Sequence, residues 1–530
     1  MQLRVDVIFN DGRSMSRRQE LVDIAEHIKP ELYKAEVYPK EVIEVVDDSG
    51  AFQGWKIHTV GSIEKLQQKS FGKNESFIID FGDHQVGYLN LSIKPVGSLP
   101  DAPLRIKLIF GEMPCEIAES FDDYKGSLSR SWLQDEIINV DILPSEIQLP
   151  RRYSFRYLKI VIIDTSDRYR VVFSDIHCSS VTSGDISRIE PLPDSVPEDL
   201  KTLDRIGIKT LQDCMQSVFE DGPKRDRRLW IGDLRLPALA NYYTFKNYDL
   251  VKRCLYLFGG LTLESGQVGA CVFEKPQPLV EDASLYDYSL FFIAALYDYY
   301  METKDRKTLT DLWPVTMDQI EIALRRLDER GIVKDDSSWW CFIDWHPDLN
   351  KQASAQAILI YCLKRSLFLA QALRLDNALR FIAEKIEEIS KAALAHLWNT
   401  GKGFFISGAE GQISWASQIW MVLAEVLSEK ENVDLLDRLF TDPPEIKMTT
   451  PYMYYHFIEA LLLCSKKDKA LEQMRAYWGE MVKDGADCFW ELYNPEDKFL
   501  SPYGSNLINS YCHAWSCTPT YFIRKYFISK

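Results

Sequence analysis

The hydrophobic period of this chain changes near residue 195, and one layer of secondary structure cannot accommodate both halves. Before that point, short runs alternate apolar and polar residues: LRVDVIF (3–9), ESFIIDFG (75–82), APLRIKLIFGE (102–112), RYLKIVIID (156–164) and RYRVVFSDIHC (168–178). Val and Ile at period 2, punctuated by Gly, Pro, Asp and Asn, predict an antiparallel β-sandwich with one buried face per sheet. PLPDSVPED (191–199) holds three prolines and reads as a linker. Beyond it, apolar positions recur at i, i+3, i+4 and i+7, as in 200–219, 288–303, 308–329, 354–373, 377–398, 413–427, 454–464, 468–482 and 505–517. Two more helices are expected around 233–258 and one near 431–440, about twelve in all. That is close to one mean helix plus loop per ~27 residues. Twelve helices without a fixed sequence repeat argue for a closed double ring of six hairpins rather than an open solenoid. The expected organisation is therefore a β-sandwich region over 1–190, the linker 191–199, and a helical domain over 200–530.

Composition narrows the function. Acids outnumber bases 78 to 62, a net charge of −16, which repels nucleic acid and anionic lipid. Thirteen Trp and 26 Tyr offer flat rings for stacking on sugars, or equally for large cores. The 11 cysteines are single and odd in number, with no CxxC, so buried free thiols are expected rather than disulfides or zinc. The eight dispersed histidines contain no HxH or HExxH, so a His-rich metal site is not expected. MQLRVDVIFNDGRSM alternates like a strand and lacks the apolar run of a signal peptide. No continuous stretch of about 18 apolar residues suggests a membrane span. The expectation is a soluble cytoplasmic protein, or a periplasmic or secreted one if a leader has been removed, with oligomeric state open.

The densest polar cluster is EDGPKRDRRLWIGD (220–233), an interhelical loop in which Gly222-Pro223 blocks helix continuation. Asp221, Asp226 and Asp233 stand there among Lys224, Arg225, Arg227, Arg228 and Trp230. Carboxylates in such company acquire different proton affinities, protonated against apolar surface and ionised beside Arg. Read alone, the run is more readily a solvated mixed-charge loop, because charge runs usually lie at the surface. A second acidic segment, DGADCFWELYNPED (484–497), sets Glu491 directly after Trp490. Hydrolysing an acetal needs two carboxyl groups, one to protonate the departing oxygen and one acting from the far side. Asp226 and Glu491 lie in loops near the two ends of the helical domain, which a closed ring would bring together. Cys512, Cys517 and His456 read as core residues on apolar helices.

DGPKRDRRLWIGD resembles the signature loop of family 78 glycoside hydrolases, the α-L-rhamnosidases: an Asp, a carboxylate five positions on, a Trp, then Gly-Asp. The matching positions are Asp221, Asp226, Trp230, Gly232 and Asp233. GADCFWELYNPED is similar to the family's Trp-Glu segment, and SYCHAWSCTPTYF (510–522) to its final helix. YDYSLFF (286–292), CFIDWH (341–346) and TPYMYYHFIEAL (450–461) resemble its inner-helix motifs, and FIIDFGDHQVGYLNLSI with LIFGE resembles the preceding β-sandwich. The resemblance implies an N-terminal antiparallel β-sandwich followed by an (α/α)6 helical barrel. It also implies inverting hydrolysis of a terminal α-L-rhamnose in a carbohydrate substrate, without cofactor or metal. Asp226 would be the general acid and Glu491 the general base, which requires a protonated Asp226 and an ionised Glu491. Asp221 and Asp233 would bind hydroxyls or shape the acid's surroundings. Trp230, Trp340, Trp345 and Trp490 would wall the sugar, with Asp344 and His513 as polar contacts.

Three positions depart from the pattern. Asp226 stands where many members have Glu, and Leu229 where Gly is frequent. The chain stops at Lys530, where many relatives continue into a C-terminal β-sandwich, leaving aglycone specificity open. The competing readings are a glycosidase or lyase of the same barrel acting on another sugar, and a non-catalytic carbohydrate-binding relative. The basic cluster is interleaved with acids, which disfavours a lyase, and four acids at the matching positions disfavour a scaffold.

Overall fold

The computed structural model describes residues 12–528 apart from position 337, so the strand expected over 3–9 lies outside the described residues. Helix α1 (Gly12–His27) leads into strands β1 (Tyr33–Val37), β2 (Glu41–Asp47) and β3 (Trp55–Ser62), then the single turn α2 (Ile63–Leu66). Strands β4 (Ser76–Gly97) and β5 (Leu104–Gly111) follow, then the turn α3 (Pro114–Ala118), β6 (Asp135–Val140), β7 (Ser145–Gln148), β8 (Tyr153–Asp164) and β9 (Tyr169–Thr182). Alternation does what period 2 dictates. In β5, Leu104, Ile106, Leu108 and Phe110 are buried while Arg105 and Lys107 turn outward.

All pairings in this region are antiparallel, but the strands form one nine-stranded network rather than two separate sheets. The cause is β4. Its first part pairs with β8 (Ser76↔Val161) and its later part with β9 (Tyr88↔Ser179). Within the β8 pairing the register shifts between Asp80 and Gln85, around Gly82 at φ 79°, and β4 stays paired with β8 as far as Gly87↔Tyr153. That left-handed position suits glycine; before it the other edge of β4 pairs with β2 (Glu41↔Asp80), and beyond it with β9 from Gly87.

The helical region begins with α4 (Glu198–Cys214), followed by the strand β10 (Leu229–Trp230), α5 (Ile231–Tyr242) and α6 (Tyr248–Gly260). Strands β11 (Cys271–Phe273) and β12 (Leu279–Val280) precede α7 (Tyr286–Thr303) and α8 (Arg306–Leu324). Then come α9 (Gln352–Leu373), α10 (Asp376–His396), the short strands β13 (Trp398–Asn399) and β14 (Phe404–Phe405), and α11 (Trp415–Leu423). Helices α12 (Glu429–Thr441), α13 (Pro451–Leu463), α14 (Lys467–Lys483) and the turn α15 (Pro519–Phe522) complete the order. From α7 onward two kinds of helix alternate, while α6, which α1 covers, is itself mostly buried. Every residue of α5 is buried and α7, α9, α11 and α13 are largely so, whereas α10 and α12 bury four residues each. A helix apolar all round belongs inside a core, and an amphipathic one covers it. The buried set is contiguous: α5 meets α7, α7 meets α9, α9 meets α11 and α11 meets α13. Helix α9 is long and apolar enough to cross a membrane by length and composition, yet 78% of that window is buried within the protein.

One expected helix is absent. Residues 505–517 form two 3-10 turns, Asn506–Ile508 and Ala514–Ser516, joined by irregular backbone, so Cys512 is buried in a loop and Cys517 closes a turn. Buried cations claim the carbonyls that a helix would use internally. Lys224 Nζ donates to Leu507 O (3.0 Å) and Asn509 O (2.7 Å), and Arg225 Nε donates to Ile508 O (2.9 Å). These bonds tie the first loop of the helical region to its last segment. The sheet braces the same place: Lys224 pairs with Glu116 at 2.5 Å, Arg152 with Glu220 at 2.6 Å, and Arg156 with Asp487 at 3.4 Å.

Candidate active site

The loop between α4 and α5 folds back on itself before it reaches the cavity. Asp221 N donates to Arg228 O and Arg228 N donates to Asp221 Oδ1, both at 3.0 Å, closing the intervening residues into a tight ring. At its tip Asp226 and Arg227 take φ 60° and 54°, left-handed backbone at two consecutive non-glycine residues. Such strain persists only where surroundings over-determine it. Here the anchors are the buried Lys224 and Arg225 on one flank and Ala514 N donating to Asp221 O (2.8 Å) on the other. Gly222 is required by contact: a Cβ there would sit 2.6 Å from Ser510 Oγ. Leu229, where a smaller residue was expected, is buried and pairs with Val272 across β10 and β11. It fixes the loop to its neighbour and does not crowd it.

Arg225 organises the acids. Its guanidinium contacts Glu491 Oε2, lies 3.8 Å from Asp226 Oδ2, and covers the Tyr503 ring at 4.4 Å. Tyr503 Oη donates to Glu491 Oε1 at 2.6 Å, so both oxygens of this carboxylate are held. Trp515 Nε1 donates to Glu491 O (3.0 Å), and Glu491 N donates to Ser510 O (3.1 Å), which fixes its backbone. Burial opposes ionisation of Glu491, but Arg225, His513 and Tyr503 together hold its carboxyl below the usual range. Asp221 is the reverse case. Burial, then the charges of Asp226 and Asp233, push its carboxyl well above the usual range. Burial also raises Asp233, partly offset by His513, whose Nε2 donates to Asp233 Oδ1 at 3.0 Å. The other ring nitrogen of His513 and the indole N–H of Trp230 are buried with no hydrogen-bond partner among the described residues.

These groups line one cavity of about 780 Å³, together with Trp340, Asp344 and Trp345. Nine of the ten residues expected from sequence line it; Trp490 does not. Trp490 is buried and stacks on Phe52 with ring centroids 4.5 Å apart, from the connection between β2 and β3. The sheet thus takes the face that was expected to meet sugar. Asp344 also differs in kind. Its oxygens accept from Thr449 N, Thr449 Oγ1 and Thr450 Oγ1 at 2.7–2.8 Å, so it pins the Trp345 loop to the start of α13. Trp340 is 69% exposed and Trp345 40%, which places Trp340 at the rim.

Sequence reasoning missed several contributors. Arg225 was visible only as one charge among several, and Tyr503 lies in SPYGSN with no motif around it. Tyr288, Phe342 and Trp515 complete the aromatic wall. Asp287 accepts from Phe342 N (3.0 Å) and Ile343 N (2.9 Å), holding Ile343 at φ 56°, an outlier for a β-branched residue. Leu128 reaches the cavity from the sheet region, on the loop that packs against Tyr503.

Two family models match the chain. One, described as the glycosyl hydrolase family 78 alpha-rhamnosidase N-terminal domain, matches residues 39–180. The other, described as the bacterial alpha-L-rhamnosidase 6 hairpin glycosidase domain, matches residues 195–527. Among solved structures, the chain is similar to a rhamnosidase from Klebsiella oxytoca with rhamnose bound. That match has TM-score 0.94 and 47% identity, covering 96% of this chain and 99% of the other. A GH78 family rhamnosidase of Bacillus sp. GL1 is similar in fold at TM-score 0.75 and 22% identity, covering 89% of this chain and 49% of that one. An alpha-L-rhamnosidase of Streptomyces avermitilis complexed with L-rhamnose shares the fold at TM-score 0.63 and 15% identity, covering 94% and 44%. No curated protein matches the chain.

Proposed function

The chain belongs to glycoside hydrolase family 78, the α-rhamnosidases, and on that premise we propose that it is an inverting exo-acting α-L-rhamnosidase with Asp226 as general acid and Glu491 as general base. The rhamnose-bound Klebsiella oxytoca relative supports rhamnose as the sugar. The observation that carries the roles is the clamp on Glu491. Arg225 and Tyr503 keep it ionised, and Arg225 also reaches Asp226 through its other terminal nitrogen, within one cavity. An inverting pair must stand about 6.5–9.5 Å apart to seat a water. Both carboxyls line that one cavity, each against a different terminal nitrogen of Arg225.

In this reading Asp226 gives its proton to the glycosidic oxygen as the anomeric C–O bond breaks. Glu491 takes a proton from a water that attacks the anomeric carbon from the opposite face, so the product sugar has inverted configuration. Trp230, Trp345, Phe342 and Trp515 wall the sugar, and Asp221, Asp233 and His513 meet its hydroxyls. The helical region reads as an (α/α)6 barrel. Helices α5, α7, α9, α11 and α13 form five inner positions, and residues 487–527 serve as the sixth, touching α13 on one side and α4 and α5 on the other.

The test is hydrolysis of an aryl α-L-rhamnoside followed by proton NMR, with Asp226→Asn and Glu491→Gln as variants. The expected first product is β-L-rhamnose. Asp226→Asn should lose about 10²–10⁴-fold in kcat on substrates with poor leaving groups. Release of the α anomer would overturn inversion, and wild-type turnover by Asp226→Asn on a substrate with a poor leaving group would overturn the acid.

A further inference from the structure

A second buried polar cluster lies behind the active site, where the sheet meets the helical region. His84 comes from the bend of β4, Asp213 from the last turn of α4, Cys488 from the segment leading to Glu491, and Cys512 from the residue before His513. All four are buried, and one donor atom from each lies within 4.8 Å of the others. His84 Nδ1 is 2.6 Å from Asp213 Oδ2, and Cys488 Sγ is 3.7 Å from the same oxygen. Cys214 packs beside them, its sulfur 3.9 Å from that of Cys512.

We propose that His84, Asp213, Cys488 and Cys512 form a structural binding site for a divalent transition-metal ion, zinc by the chemistry of the donors. Two thiolates, an imidazole and a carboxylate make a closed four-donor set of the kind that selects zinc over magnesium or calcium. The surrounding groups are those that orient metal ligands. With Nδ1 as the donor, His84 Nε2 faces Glu112 Oε1 at 3.1 Å, and that oxygen also accepts from Ser154 Oγ at 2.7 Å. A ligating imidazole ordinarily gives its second N–H to such a carboxylate. Both oxygens of Asp213 accept from Lys209 Nζ at 2.7 Å. Lys209 and a divalent ion together balance Asp213 and two thiolates. Binding expels the thiol protons and the proton His84 shares with Asp213. The ion would join the sheet to α4 and fix the two segments that hold Glu491 and His513, at a distance from the sugar cavity.

Elemental analysis of the intact protein, purified without chelator, should find about one equivalent of zinc per chain. Cys488→Ser and Cys512→Ser should each lose it, and Cys254→Ser, a buried thiol elsewhere, should keep it. Replacement of the metal by Co²⁺ in the wild-type protein should give thiolate-to-cobalt charge-transfer absorption, a readout that depends on no variant. Wild-type protein that carries no metal and shows no such band after titration with Zn²⁺ and Co²⁺ overturns the proposal, leaving a hydrogen-bonded His84–Asp213 pair among free thiols. Metal retained by the Cys488→Ser/Cys512→Ser double variant overturns it as well.

Discussion

Replacing Tyr503 by Phe removes one hydroxyl and leaves the ring under Arg225. The hydroxyl donates to Glu491 Oε1 at 2.6 Å, on the oxygen that Arg225 does not contact. A hydrogen bond to a charged group contributes about 1.5–3 kcal/mol. At 1.36 kcal/mol per pH unit, losing it should move a titration by about one to two units. The direction follows from the role. In the proposed role Glu491 takes a proton only when ionised, and its clamp holds its titration below the usual carboxylate range. Activity is therefore retained toward acid and lost as pH falls through that depressed titration. Without the hydroxyl, the acidic limb of kcat/KM should move to higher pH, with the plateau changed much less. The assay is kcat/KM on an aryl α-L-rhamnoside from pH 3 to 8 for both proteins. An unmoved acidic limb would refute the clamp, and a fallen plateau with an unmoved limb would make Tyr503 a sugar contact instead.

Arg235 in α5 binds Asp298 of α7 at 2.6 Å and Glu459 of α13 at 2.8 Å, clamping three buried helices. Arg235→Met strands two carboxylates and should cost about 3–5 kcal/mol in urea unfolding at pH 7. Burial opposes ionisation of Glu459, but Arg235 lowers its titration from 4.5 to about 2. Its stabilisation is complete above the higher value and disappears as pH falls toward the lower one. The acid-unfolding midpoint should therefore rise in the variant, and an unchanged midpoint would argue against this clamp. Trp340→Ala, at the rim, should leave the melting temperature unchanged but raise KM for aryl rhamnosides about tenfold, from ~1–1.5 kcal/mol of stacking. An unaltered KM on aryl and on longer glycosides would remove Trp340 from the path of the substrate.

What could be read from residues in order was local. Period 2 in 104–111 and helical spacing in 354–373 each depend on neighbours along the chain, and both elements are present. The loop 220–233 was legible as a site because its acids, Trp230 and Gly222-Pro223 lie together. The segment 505–517 shows where this reasoning stops. Its apolar spacing suits a helix, but Lys224 and Arg225 bind its carbonyls from nearly 300 residues away. Trp490 was misplaced for the same reason, since Phe52 stacks on it from the sheet. Cys488 and Cys512 lie apart in sequence, with no spacing that would mark a metal site, and meet only because their two segments pair directly, Glu491 N on Ser510 O and His513 N on Phe489 O.

The sequence by itself determined the change from strands to helices, the two segments that carry Asp226 and Glu491, and their resemblance to one family. The tertiary structure alone decided which carboxyl is held ionised, which aromatic rings face the cavity, and which thiols converge on a histidine. The physical reason is range. Backbone conformation follows from steric and hydrogen-bonding preferences within a few residues, whereas the charge state of Glu491 depends on Arg225, brought beside it by packing across 266 positions.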